Sequence, residues 1–159
     1  MDAKIRKTRD ELRISGKALI VFGIWSILRL VFYNIMDKES LQDYIFKSTG
    51  ASDTGSFKVW FTITIILLVI DLIFRIYIGC SAVSEGKGKK KSIVYIVLAF
   101  IYVFISVIGD AGYLKTLTLQ DFSLAAFSAF FIDATSCIAL IVIIVSSISL
   151  RIRMKQISN

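Results

Sequence analysis

Four long apolar blocks, each bounded by charged or loop-forming residues, constrain this chain more than any other feature. They run roughly over 17–36, 57–82, 92–109 and 122–150. A helix needs about 20 mostly apolar residues to cross ~30 Å of hydrocarbon. The third block sits at the short end of that requirement, and the fourth is long enough to tilt or project. A transmembrane β-barrel would instead show short alternating segments, whereas these blocks are continuous. Of the 159 residues, 56% are hydrophobic, and mean hydropathy is +0.75. A small soluble domain has too little interior to hide that much apolar surface. The expectation is an all-α membrane protein: four transmembrane helices in an antiparallel bundle, forming a single domain over 1–159. The first block reads as a retained signal anchor, because it is long enough to span and no small-x-small cleavage site precedes a polar region.

Lys and Arg then set the orientation, since they accumulate on the cytoplasmic side of membrane proteins. Before or at the start of the first block stand Lys4, Arg6, Lys7, Arg9, Arg13 and Lys17. After the second come Lys87, Lys89, Lys90 and Lys91, and after the fourth Arg151, Arg153 and Lys155. These thirteen share one side of the proposed topology, against Lys38, Lys47, Lys58 and Lys115 on the other. Both termini are therefore expected to be cytoplasmic, and the net charge of +7 largely reflects this asymmetry. A simple topology of this kind fits the inner membrane of a bacterium.

The segment Gly86-Lys87-Gly88-Lys89-Lys90-Lys91 shares composition with a phosphate loop but lacks its spacing and its strand-to-helix setting. Its four lysines are read as contacts to anionic lipid, and nucleic acid is not expected as a partner. With no histidine in the chain, the commonest general base and metal ligand is missing. Cys80 and Cys137 fall at different depths and are read as small packing residues rather than as a disulfide or zinc site. No cofactor is implied. The missing proline matters too, because transporters often break their helices with Gly or Pro at the binding site.

Residues 2–15 are expected to form a short interfacial helix. Arg6/Asp10 and Lys7/Glu11 stand at i,i+4, with Ile5 and Leu12 turned to lipid. Ser40-Leu41-Gln42-Asp43 is suited to capping a short helix in the outer loop. Thr118-Leu119-Gln120-Asp121 follows the third block as Ser40-Leu41-Gln42-Asp43 follows the first, and Ile70-Asp71 parallels Ile132-Asp133. That pattern suggests a parallel repeat of two hairpins, 15–85 and 92–155.

Each block also carries a small or polar face at helical spacing. These faces are Gly23, Ser26, Arg29 and Tyr33; Thr64, Asp71, Arg75 and Ala82; Tyr95, Ala99, Tyr102, Ser106, Gly109 and Tyr113; and Ala126, Ala129, Asp133, Ser136 and Ser147. Small residues let helices approach closely and polar ones bond across the seam. Arg29, Asp71, Arg75 and Asp133 form the candidate intramembrane charge network, with Tyr102, Ser106 and Ser136 as polar neighbours. Asp110, at the outer end of the third block, is read as solvated.

A charge at the bilayer centre costs about 3 kcal/mol on insertion scales, so such groups pair or serve a function. Two arginines against two aspartates favour a neutral network that fixes helix register. The functional alternative is a proton or cation on Asp71 or Asp133, with an anion on Arg29. No nucleophile, metal cluster or acid–base pair suggests an enzyme. The chain is expected to be a non-catalytic accessory or interaction module in contact with a membrane-protein partner or a second copy of itself. The alternative is an oligomeric transporter or channel for small solutes, ions or protons.

Overall fold

The computed structural model describes residues 3–36, 54–116 and 124–158, apart from some side chains near the helix ends. Among the described residues there are four helices and no strand: α1 (Ala3–Met36), α2 (Thr54–Gly86), α3 (Val94–Thr116) and α4 (Leu124–Ser158). Apolar composition and the absence of proline let each helix run unbroken, and three exceed 30 residues. Two of them, over Val59–Gly86 and Phe130–Gln156, are long and apolar enough to cross a membrane. The other two do not meet that measure; the apolar stretch of α3 covers only Val94–Ile108. A core helix of a soluble protein would be mostly covered, yet only 6% of the apolar window of α2 is buried.

α1 packs on α2 and α4, and α3 closes the arrangement against α4 and, more lightly, α2. α1 and α2 run antiparallel, as the glycines show. A Cβ on Gly16 would stand 2.7 Å from the Gly79 carbonyl oxygen, and one on Gly86 would stand 2.7 Å from the Arg9 carbonyl oxygen. Gly23 meets Leu72 and Arg75. Gly16/Gly23 and Gly79/Gly86 are each one heptad apart, so both helices present a glycine seam along which their backbones touch.

The buried positions repeat at the same interval: Ile5, Leu12, Leu19 and Ser26 on α1, and Leu140 and Ser147 with Ser136, Ile143 and Leu150 on α4, with the partly buried Met154 one heptad after Ser147. Such a repeat is the geometry of left-handed helix packing. Residues 3–15 are thus not a separate interfacial helix. They continue α1, and Ile5 and Leu12 lie in the core rather than facing lipid. The reason is that α2 and α4 extend beyond their apolar blocks, to Gly86 and Ser158, and offer that turn of α1 a surface to pack on. Asp10 pairs with Arg13 at 3.5 Å rather than with Arg6, and Glu11 accepts a hydrogen bond from Ser146 Oγ at 3.2 Å. Cys80 is another correction. It is exposed on the outside of α2 rather than packed, because the glycine seam turns Gly79 inward and its neighbour away; Cys80 and Cys137 are not joined by a disulfide.

Packing is uneven along the helices. Among the described residues, the buried positions all lie between the basic end and a layer marked by Ser26, Arg75, Ala99 and Ile132. Beyond it, Val59, Ile66, Leu67, Phe104, Ile105 and Phe131 are exposed apolar side chains. Residues 40–44 and 118–122, on which half of the repeat pattern rests, lie outside the described residues.

Candidate functional site

The charged layer is built around Arg75, whose side chain is 5% exposed. Its Nε donates to Asp71 Oδ2 at 2.8 Å, one helical turn back, and to the Tyr102 hydroxyl at 3.0 Å. Its Nη1 donates to Ser136 Oγ at 2.5 Å and its Nη2 to Asp133 Oδ1 at 3.3 Å. Tyr102 donates its own proton to Asp71 Oδ1, and the guanidinium lies 5.5 Å from the centre of the Tyr102 ring. Ser136 donates back to the Ile132 carbonyl, which leaves its oxygen lone pairs for Arg75. One guanidinium therefore joins α2, α3 and α4 through charge-assisted bonds, the stronger kind.

Of the seven residues expected here, the structure brings together Asp71, Arg75, Tyr102, Asp133 and Ser136. Arg29 and Ser106 stay outside the cluster. Ser106 is half-buried one turn beyond Tyr102. Because Gly23 meets Leu72 and Arg75 on an antiparallel neighbour, Arg29 falls about one turn, ~5 Å, beyond Asp71. Its Nη1 is buried without a hydrogen-bond partner. The balance of two cations and two anions thus changes in space: one guanidinium faces two carboxyl groups. When both are ionised the cluster carries one negative charge in excess, and Asp133, with its side chain 39% exposed, is the looser of the two acids.

A second polar cluster lies toward the basic end. Glu85, 3% exposed, receives Arg151 in a fork: Nε to Oε1 at 2.8 Å and Nη2 to Oε2 at 3.0 Å. Tyr95 donates to Glu85 Oε2 and its hydroxyl lies 2.7 Å from Ser147 Oγ, while Arg151 sits 5.9 Å from the centre of its ring. Arg151 Nη2 also reaches the carbonyls of Lys91 at 2.9 Å and Ser92 at 3.3 Å, fastening the α2–α3 connection to α4. Sequence reasoning counted Arg151 only as a topology charge and passed over Glu85. The available signal was spacing: Glu85 stands two heptads after Asp71, which places it on the same inward face of α2.

The lysine segment follows a helix stop. Gly88 has φ +89°, Lys89 N–H donates to the Ser84 carbonyl and Gly88 N–H to the Glu85 carbonyl. This is the Schellman pattern, with glycine at the left-handed position. Lys87, Lys89, Lys90 and Lys91 are all exposed. Among the described residues no three His, Cys, Asp or Glu gather closely enough to hold a metal ion. The chain matches no protein-family model, and no curated protein or solved structure is significantly similar to it.

Proposed function

We propose that the chain is a four-span membrane protein with both termini in the cytoplasm, acting as a non-catalytic accessory module that associates with other membrane helices or with a second copy of itself. The observation that carries this reading is the use to which the buried polar groups are put. Arg75 ties three helices together and Arg151 locks Glu85 and the α2–α3 connection, so the strongest polar contacts act as clamps between helices. Apolar side chains turned outward along all four helices support the membrane setting. The half-exposed Asp133 leaves polar capacity that a neighbouring helix would satisfy, since an unsatisfied polar group in hydrocarbon costs several kcal/mol.

The charge count favours one second reading, transport. Two carboxyl groups around one guanidinium leave room for one proton or one cation, and intramembrane acids often mark such pathways. Extraction from the native membrane in mild detergent, followed by light scattering on the purified species, separates the two. The accessory reading expects a complex heavier than one 17.8 kDa chain with its detergent. A lone chain that carries proton or cation flux in liposomes, with flux lost in a still-folded Asp133→Asn variant, would replace it with the transport reading.

A further inference from the structure

The basic end of the bundle holds a cavity of about 590 Å³ with nine lining residues, among them Arg9, Lys89, Lys90, Lys91, Arg151 and Lys155. Six of these nine residues are cationic and one is an acid. The acid is already paired with one of them, because both Glu85 oxygens are held by Arg151 and one also by Tyr95, which leaves five cations with no carboxylate against them in the lining. The cations come from α1, the α2–α3 connection and α4, so the fold gathers them from separate parts of the chain. Such convergence sets the cavity apart from a lysine run along one solvated helix face.

Two local features prepare it for an anion. Arg9 lines the cavity, and its Nε is buried with no hydrogen-bond partner, so no protein acceptor offsets the guanidinium at that atom. Gly88 lies over the same guanidinium: a Cβ there would stand 3.6 Å from Arg9 Nη1 and 3.7 Å from Nη2. The carbonyls of Val83, Ser84 and Glu85 at the end of α2 are occupied by the N–H groups of Lys87, Lys89 and Gly88, which mutes the negative end of that helix. A concave site lined by one sign of charge focuses its field on an incoming ion. Arg and Lys together suit phosphate, Arg as a fork and Lys as a point charge.

We infer that this cavity binds a phosphate group, carried either by an anionic lipid headgroup at the membrane surface or by a small soluble phosphate compound. The site goes beyond the general attraction of lysines to a charged bilayer, since Arg9, Lys155 and Lys89–Lys91 line the cavity and Lys87 does not.

The test uses the full chain, purified in uncharged detergent. Inorganic pyrophosphate titrated by calorimetry probes the soluble source. Phosphatidic acid doped into phosphatidylcholine nanodiscs, with bound lipid counted by native mass spectrometry, probes the lipid source. Two charge-matched double variants are compared: Lys89→Gln/Lys90→Gln inside the cavity, and Arg6→Gln/Lys7→Gln on exposed positions of α1 outside it. Both pairs are exposed, so neither disturbs the core. Saturable binding of either probe is expected, weakened about tenfold or more by the cavity pair, on the scale of one lost charge-assisted bond, and less than about twofold by the outer pair. Which probe binds identifies the source. Equal weakening by the two pairs would reduce the effect to the general field of the basic end and overturn the site, as would binding of neither probe.

Discussion

Arg75→Met is the perturbation whose cost follows most directly from the geometry. The side chain is 5% exposed and bonds to Asp71, Tyr102, Ser136 and Asp133. Replacing it leaves two carboxyl groups facing one another with no cation, and removing one partner of a buried ion pair costs about 3–5 kcal/mol. The expected loss is at that level, on the order of a 10 °C fall in Tm for a chain of this size. Arg75→Met/Asp71→Asn, which also removes the closer acid, should recover a large part of it, because the residual cost is then that of polar contacts alone. Asp133→Asn should cost about 1 kcal/mol or less, as interhelical hydrogen bonds in membranes average well under that and its one bond to Arg75 is long at 3.3 Å. Reversible unfolding in mixed micelles, run as a double-mutant cycle, measures the coupling between Arg75 and Asp71. An Arg75→Met protein within about 1 kcal/mol of wild type would refute the clamp, since losing a buried guanidinium with four bonded partners costs more than that.

Gly16→Ala places a Cβ 2.7 Å from the Gly79 carbonyl oxygen and should cost about 1–3 kcal/mol by forcing α1 off α2; Gly23→Ala meets side-chain atoms of Leu72 and Arg75 at the longer distances of 3.0 and 3.1 Å and should be milder in the same unfolding assay. Arg151→Met strands Glu85 with only Tyr95 and should destabilise by about 3 kcal/mol, whereas Arg151→Met with Glu85→Gln should regain most of it. Gly88→Ala must hold φ near +89° and should lose about 1 kcal/mol, seen as faster hydrogen exchange at the end of α2.

The sequence made the helices legible because apolar runs and charge punctuation coincide with their middles. It misplaced their basic ends, since hydropathy stops at the first charged residue while helical hydrogen bonding does not. Arg9 and Arg13 on α1, Glu85 on α2, and Arg151 and Arg153 on α4 all sit within continuing helix. The inward aspartates and Arg75 were readable from periodicity. The exclusion of Arg29 was not, because depth counted along single helices cannot fix the offset that the Gly16–Gly79 and Gly23–Arg75 contacts impose. The basic cavity was equally hidden, because its cations are scattered between Arg9 and Lys155 and meet only once the helices fold together.

Four crossings with cytoplasmic ends are the central claim, and side-specific thiol labelling tests them most directly. In a background carrying Cys80→Ser and Cys137→Ser, single cysteines replace Lys7, Lys38, Lys115 or Lys155 and meet a membrane-impermeant maleimide on intact cells. The account predicts labelling at 38 and 115 in intact cells, and at 7 and 155 only after permeabilisation. Labelling of 7 and 38 from the same side, or of 115 and 155 from the same side, would contradict it.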